Sequence, residues 1–268
     1  MSYRDVWAKY DRAEKHIKDF RSAVAAFGDA NRDHVGKKTN EETGDLIYYL
    51  KSVPVIPVEI SLILGDAIHN LHSSLDYLAH AIVRPVGARA IKDTKFPIRD
   101  TSDGFDAALQ GCIQGARDYC LQIFRRIQPY QRGNGHALWQ LHKLDIIDKH
   151  RLPLTASYSP MARTITPEER KKLDTVFSRV TQNPTLKSLS VPHQIIGASV
   201  PTFPMHEGQI LASLPAADAQ HQMGFSFGVA LNEPAIAQVG VDAISFASYL
   251  SGEVRMVIND LGACATLP

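Results

Sequence analysis

The stretch LGDAIHNLHSSLDYLAHAIV, residues 64–83, decides the fold. Leu64, Ala67, Leu71, Leu75, Leu78 and Ile82 recur at steps of three and four, the period of a helix face packed on a core. The other side of the helix is polar. With ~3.6 residues per turn, His69, Asp76 and His80 fall within about 20° of one another. Asp66, His72 and Ser73 flank them. His72 and Asp76 are i,i+4 neighbours, as are Asp76 and His80, so a His-Asp-His ladder is expected along one side. Imidazoles and a carboxylate so placed can bind a metal, move protons or hold a hydrogen-bond network. The plain alternative is a solvated polar face on which Asp76 simply pairs a histidine.

Upstream, residues 5–27 read as a long helix. Val6, Tyr10, Ala13, Ile17, Phe20, Val24 and Phe27 alternate steps of four and three, a seam suited to another long helix within the protein or to a homodimer. GDANRDHVGKKTNEETG (28–44) reads as a loop, and DLIYYLKS (45–52) as a short strand closed by Pro54 and Pro57. Downstream, VGARAIKDTKFPIRDTSDG (86–104) reads as a loop. Residues 112–127 are expected as one helix, with Ile113, Ala116, Cys120, Ile123 and Ile127 on its inner face. QPYQRGNG breaks the chain, and a helix follows from about His136 to His150. A polar helix is expected over 166–180, with Thr166 as cap and Pro167 at its first position. QIIGASV, GQILASLP and GFSFGVAL are short β-like runs; in the last, Phe225, Phe227, Val229 and Leu231 alternate with small residues. A final helix over about 241–261 carries Ile244, Ala247, Leu250, Val254, Val257 and Leu261 on one stripe. The expected class is α+β: a helical bundle core of four to five long helices (1–155 and 240–268) with a small antiparallel β insertion at about 185–238, in a single domain. The last helix should return to the bundle, because its stripe needs a partner.

Composition narrows the function. There are 29 basic and 28 acidic residues, for a net charge of +1, so no broad basic surface is offered to nucleic acid. Cys112, Cys120 and Cys264 make an odd count without CxxC spacing. A disulfide framework is not expected, and a reducing, cytoplasmic setting fits. Cys112 and Cys120 read as small buried hydrophobes. The first residues, MSYRDVWAKYDRAEKHIKDF, lack the apolar centre of a secretion signal. No run of about 18 apolar residues exists, so no membrane span is expected. Nucleotide-binding glycine loops and zinc-finger spacing are absent, and the GxSxG string at 224–228 lies within the β-like run GFSFGVAL, so it is not a strand-to-helix nucleophile elbow.

HALWQLHKLDIIDKHR (136–151) holds a second constellation. Ala137, Leu141 and Leu144 form an apolar stripe that one more step of four carries to Asp148. A carboxylate in line with a core stripe needs a partner if it is buried. A ladder histidine, Arg151 or backbone N–H groups could serve, and a structural ion pair is the plain reading. Lys149, His150 and Arg151 suit the helix C-terminus. His136, His193, His206 and His221 stand alone and suggest no site.

GDAIHNLHSSLDYLAHAIV, the FPI at 96–98 and LHKLDIIDKHR together resemble a group of bacterial and phage proteins without an assigned activity. Those proteins carry a GDxxHNxRSALDHL-type helix and a later DKHR. The resemblance covers most of the chain from Trp7 to Arg151 and the β part loosely. At greater distance the chain resembles HEPN domains, helical bundles of prokaryotic RNases and defence systems. Active members carry Arg, four to six residues, then His on one helix. The corresponding residues here are His72 and Tyr77, and no Arg of this chain precedes a His at that spacing. The resemblance implies a helical protein related to RNases that is either inactive as an RNase or acts on RNA with other residues.

Three function classes follow. A hydrolase or nuclease would use His69, His72, Asp76 and His80 with Asp148 or His150, one histidine taking a proton and another giving one. A metal-binding bundle would gather N and O ligands for Zn²⁺, Mn²⁺ or Fe²⁺ from the two helices, although HExxH and ExxH motifs are missing. A non-catalytic assembly protein would use the ladder to fix helix register.

Overall fold

The computed structural model describes residues 2–83, 92–148, 154–161, 204–218 and 223–266. The expected helix at 166–180, the run QIIGASV, His150, Arg151, His193 and His221 lie outside them. The protein is α+β, with helices and small sheets. In chain order the main elements are α1 (Tyr3–Ala30), β1 (Val35–Thr39), β2 (Leu46–Leu50), α2 (Val58–Ile82), α3 (Phe105–Cys112), α4 (Asp118–Ile127), α5 (His136–Asp148), β3 (Leu154–Met161), β4 (Ile210–Leu214), β5 (Gly224–Leu231) and α6 (Ala243–Thr266). They fall into two compact units. One comprises residues 1–26, 56–155 and 229–268, the other residues 27–55 and 156–228.

The first unit is built around α2, which packs on both α5 and α6. The stripe read from the sequence is its buried side: Leu64, Leu71, Leu75, Leu78 and Ile82 are all enclosed. Each such leucine contributes roughly 1.5–3 kcal/mol on leaving water. α6 packs on α2, α4 and α5, so the stripe of the last helix finds partners on other helices. The α1 seam is also buried, from Val6 through Phe27, and is used within the chain. Polar pins fix its register: the Ser251 hydroxyl meets Tyr10 Oη at 2.9 Å and donates to Glu14, while Tyr3 Oη donates to the Ile258 carbonyl.

Residues 112–127 form two helices instead of one. α3 ends at Cys112, and Gly115 takes φ +89°, a left-handed conformation that an α-helix cannot contain. The expected loop 86–104 sends Phe96 into the core against Phe124, with ring centroids 5.2 Å apart. The cysteine expectation is overturned as well. Cys120 and Cys264 form a disulfide between α4 and α6, their Cα atoms 5.9 Å apart. The pairing is set by helix packing across 144 residues, so local spacing carries no trace of it. Cys112 is free and half-buried, and burial pushes its thiol pKa up.

In the second unit β2 is the centre of an antiparallel sheet ordered β1-β2-β4, with Val35 opposite Leu50 and Leu46 opposite Leu214. Strand β2 answers the expected DLIYYLKS strand, and β4 and β5 answer GQILASLP and GFSFGVAL. β1 departs from the loop expected over 28–44, because VGKKT pairs with β2 along its length. Among the described residues it is an edge strand whose lysines face water, and its polarity hides backbone pairing supplied by β2. The sheets therefore draw on residues 35–50 as well as on the segment before α6. β3 pairs with β5 in a second, two-stranded sheet. Among the described residues no helix is long and apolar enough to cross a membrane.

Candidate functional site

The polar side of α2 faces α5, and the two helices share one carboxylate. Asp145 is buried, with 8% of its side chain exposed. A carboxylate taken out of water must be compensated, and histidines from α2 approach both of its oxygens. His69 Nδ1 lies 3.0 Å from Asp145 Oδ1. His72 Nδ1 lies 3.8 Å from Asp145 Oδ2 and 3.6 Å from Asp76 Oδ2. The far side of the His72 ring is also engaged: its Nε2 is 2.9 Å from His142 Nδ1, with the two rings stacked at 5.1 Å.

Burial, then the charge of His72 and of Lys143, lowers the His142 pKa to about 4, so this imidazole is neutral at pH 7. One proton is shared in the contact between the rings. If His142 Nδ1–H donates, His72 Nε2 accepts and its Nδ1–H points at the carboxylates. The reverse direction requires a proton on both His72 nitrogens, because a bare Nδ1 would aim a lone pair at two anionic oxygens; in either case Nδ1–H faces the carboxylates.

His69 stands apart. Its side chain is 57% exposed, although its Nδ1 is held by the buried Asp145. With the proton on Nδ1, the lone pair of Nε2 is left outward, where Ser73 Oγ stands 3.4 Å away. A second brace secures α5 nearby. Asp100 accepts from Trp139 Nε1 at 2.8 Å and from Lys143 Nζ at 2.6 Å, and these two donors hold its carboxyl below the usual range.

The sequence-derived residues fare unequally. His69 and His72 meet acid from the neighbouring helix, as the geometry demanded, but that acid is Asp145. α5 ends at Asp148, whose side chain lies outside the described set, as does His150. Asp76 accepts the Phe96 N–H at 2.9 Å and so anchors the loop after α2, touching His72 only at ion-pair range. The ladder does not extend to His80: among the described residues it makes no hydrogen bond or ion pair with the cluster, and it is half-exposed. Asp145 and His142 were missed. A signal existed: Leu138, Leu141 and Asp145 follow at steps of three and four, and the two leucines are fully buried. The stripe through Ala137 and Leu144 pointed to Asp148 instead.

Among the described residues no group of three or more His, Cys, Asp or Glu is disposed to hold a metal ion. His72 and His142 turn nitrogens toward each other and not toward a common point. Comparison with protein-family models, with curated proteins and with solved structures found no match.

Proposed function

We propose that this chain is a HEPN-like protein, with a core bundle of long helices (α1, α2, α5 and α6), that cleaves single-stranded RNA at His69. The observation that carries the reading is an imidazole open to solvent whose Nδ1 is fixed by a buried carboxylate. Asp145 sets the tautomer, and Nε2 is then a base that becomes an acid once protonated. His69 takes the proton of a ribose 2′-hydroxyl, the 2′-oxygen attacks the adjacent phosphorus, and His69 returns the proton to the departing 5′-oxygen. The products are a 2′,3′-cyclic phosphate and a free 5′-hydroxyl. His72 and His142, engaged with each other and with Asp145, position the carboxylate.

RNA is favoured by the resemblance and by a groove of about 590 Å³ between α1 and α2, lined on α2 by Asn70 and Tyr77. Lys9, Arg12, Asn70 and Tyr77 line it with Asp5, offering cations for phosphates and a ring for a base. A cytoplasmic setting belongs to the proposal only with Cys120 and Cys264 as thiols, which mass analysis under non-reducing conditions reads directly.

The test is cleavage of an RNA oligonucleotide beside its 2′-deoxy counterpart. Wild-type protein should cut only the RNA, and H69Q should lower the rate by about 10²–10⁴-fold. No cleavage by the folded wild type, or equal cleavage by H69Q, would remove the reading. Lower melting temperatures for H69Q and D145N without any turnover to lose would make the pairs fasteners of α2 to α5.

A further inference from the structure

Ser73 gives the dyad a third member. From the geometry we infer that Ser73, His69 and Asp145 form a nucleophilic triad that can take an acyl group from a carboxylic ester. The inference rests on His69–Asp145 as a working proton-transfer pair, but not on RNA as substrate.

Three observations carry it. First, the order of contacts is that of an activated hydroxyl: Ser73 Oγ to His69 Nε2 at 3.4 Å, then His69 Nδ1 to Asp145 Oδ1 at 3.0 Å. Second, Ser73 differs from its neighbour. The Ser74 hydroxyl is buried and donates to the Leu71 carbonyl at 2.6 Å, the usual fate of a serine inside a helix. Ser73 turns to the imidazole and remains partly exposed. Third, a cation is held on the same strip of α2. Lys9 Nζ lies 3.4 Å from Asn70 Oδ1 and 5.6 Å from the Tyr77 ring centroid, three residues before and four after Ser73. An ammonium there suits the negative charge that grows on a carbonyl oxygen under attack.

The step needs only these side chains and water. Ser73 Oγ bonds to the ester carbonyl carbon, and its proton passes to His69 Nε2. The bond from that carbon to the alkoxy oxygen breaks, and His69 returns the proton to the departing alcohol. Water, giving its proton to His69, then attacks acyl-Ser73, releasing the acid and restoring the hydroxyl. Asp145 touches no reacting atom and is a positioning residue.

The test is labelling of the full chain with a fluorophosphonate, then with p-nitrophenyl acetate, with the adduct located by peptide mass analysis. Wild-type protein should carry one adduct on Ser73, and S73A none. H69Q should slow labelling by about 100-fold or more, and K9M by less, each with a melting temperature near that of the wild type. D145N should move the pH profile of labelling, which a merely structural carboxylate would not do. No adduct on folded wild-type protein, an adduct elsewhere, or an unchanged rate in H69Q overturns the inference. The two readings separate cleanly. RNA cleavage by a 2′-hydroxyl should survive S73A, so an adduct on Ser73 without RNA cleavage removes the RNA reading alone. RNA cleavage without an adduct removes the triad alone.

Discussion

His69 and His72 sit three residues apart on the same helix and reach opposite oxygens of the same buried carboxylate, yet their surroundings are opposed. His69 keeps more than half its side chain in water and has one nitrogen facing outward. His72 is 15% exposed, with its Nε2 against His142 Nδ1 at 2.9 Å and carboxylate oxygens 3.6 and 3.8 Å from its Nδ1. Residue type and helical spacing are equal for the two. What divides them is what α5 sets opposite each one: Asp145 alone for His69, Asp145 with a neutral imidazole for His72. A carboxylate behind an exposed imidazole leaves it able to exchange protons with a substrate. An imidazole behind a desolvated one closes that route and turns the pair into a brace.

The sharpest way to break this contrast is kinetic. H69Q should cost about 10²–10⁴ in kcat with little change in melting temperature, whereas H142N should keep kcat within about threefold and lower stability instead. Activity assays paired with denaturant unfolding check both. Equal kinetic losses would mean that the brace itself transfers protons.

A smaller effect sharpens the contrast through pH. The folded His142 pKa is about 4, below the ordinary value of 6.5. Between those values the unfolded chain binds a proton that the folded chain refuses, so stability is complete above pH 6.5 and falls as pH drops toward 4. The groups facing it are His72 and Lys143, which oppose its charging, and Asp145 and Asp76, which favour it. Allowing for its partial exposure, the loss should be about 1–2 kcal/mol. The wild-type curve minus that of H142N isolates the contribution. A flat difference over this window would show that the His142 ring is well solvated in the folded protein.

Much of this arrangement was legible in the sequence. The stripes of α1, α2 and α6 declared themselves because three-four spacing of large apolar side chains has one economical solution, burial of that face. The polar side of α2 was legible as a cluster but not as a site, since one helix cannot reveal what its neighbour brings. Asp145 escaped because two apolar stripes run along α5, one toward Asp145 and one toward Asp148, and periodicity does not rank them. The Cys120–Cys264 bond and the β1–β2 pairing escaped for a related reason. Both join segments whose own composition argues against them, and only tertiary placement overrules that composition.

Asp76 offers the smallest and most discriminating measurement. Its spacing gave it to His72, but the observed bonds divide it: 2.9 Å from Oδ1 to the Phe96 N–H, and 3.6 Å from Oδ2 to His72 Nδ1. At 3.6 Å a hydrogen bond has lost most of its strength, so the Phe96 amide should dominate. D76A removes an acceptor from that amide and should cost about 1–2 kcal/mol. D76N keeps an oxygen at the same place while removing the charge, and should recover more than half of the loss. Chemical denaturation of the three proteins at pH 7 decides between the partners. If D76N is as unstable as D76A, the charge seen by His72 is what matters, and His72 then depends on two carboxylates where His69 depends on one. Recovery in D76N leaves Asp145 as the acid common to both histidines and makes Asp76 the anchor that holds Phe96 against Phe124.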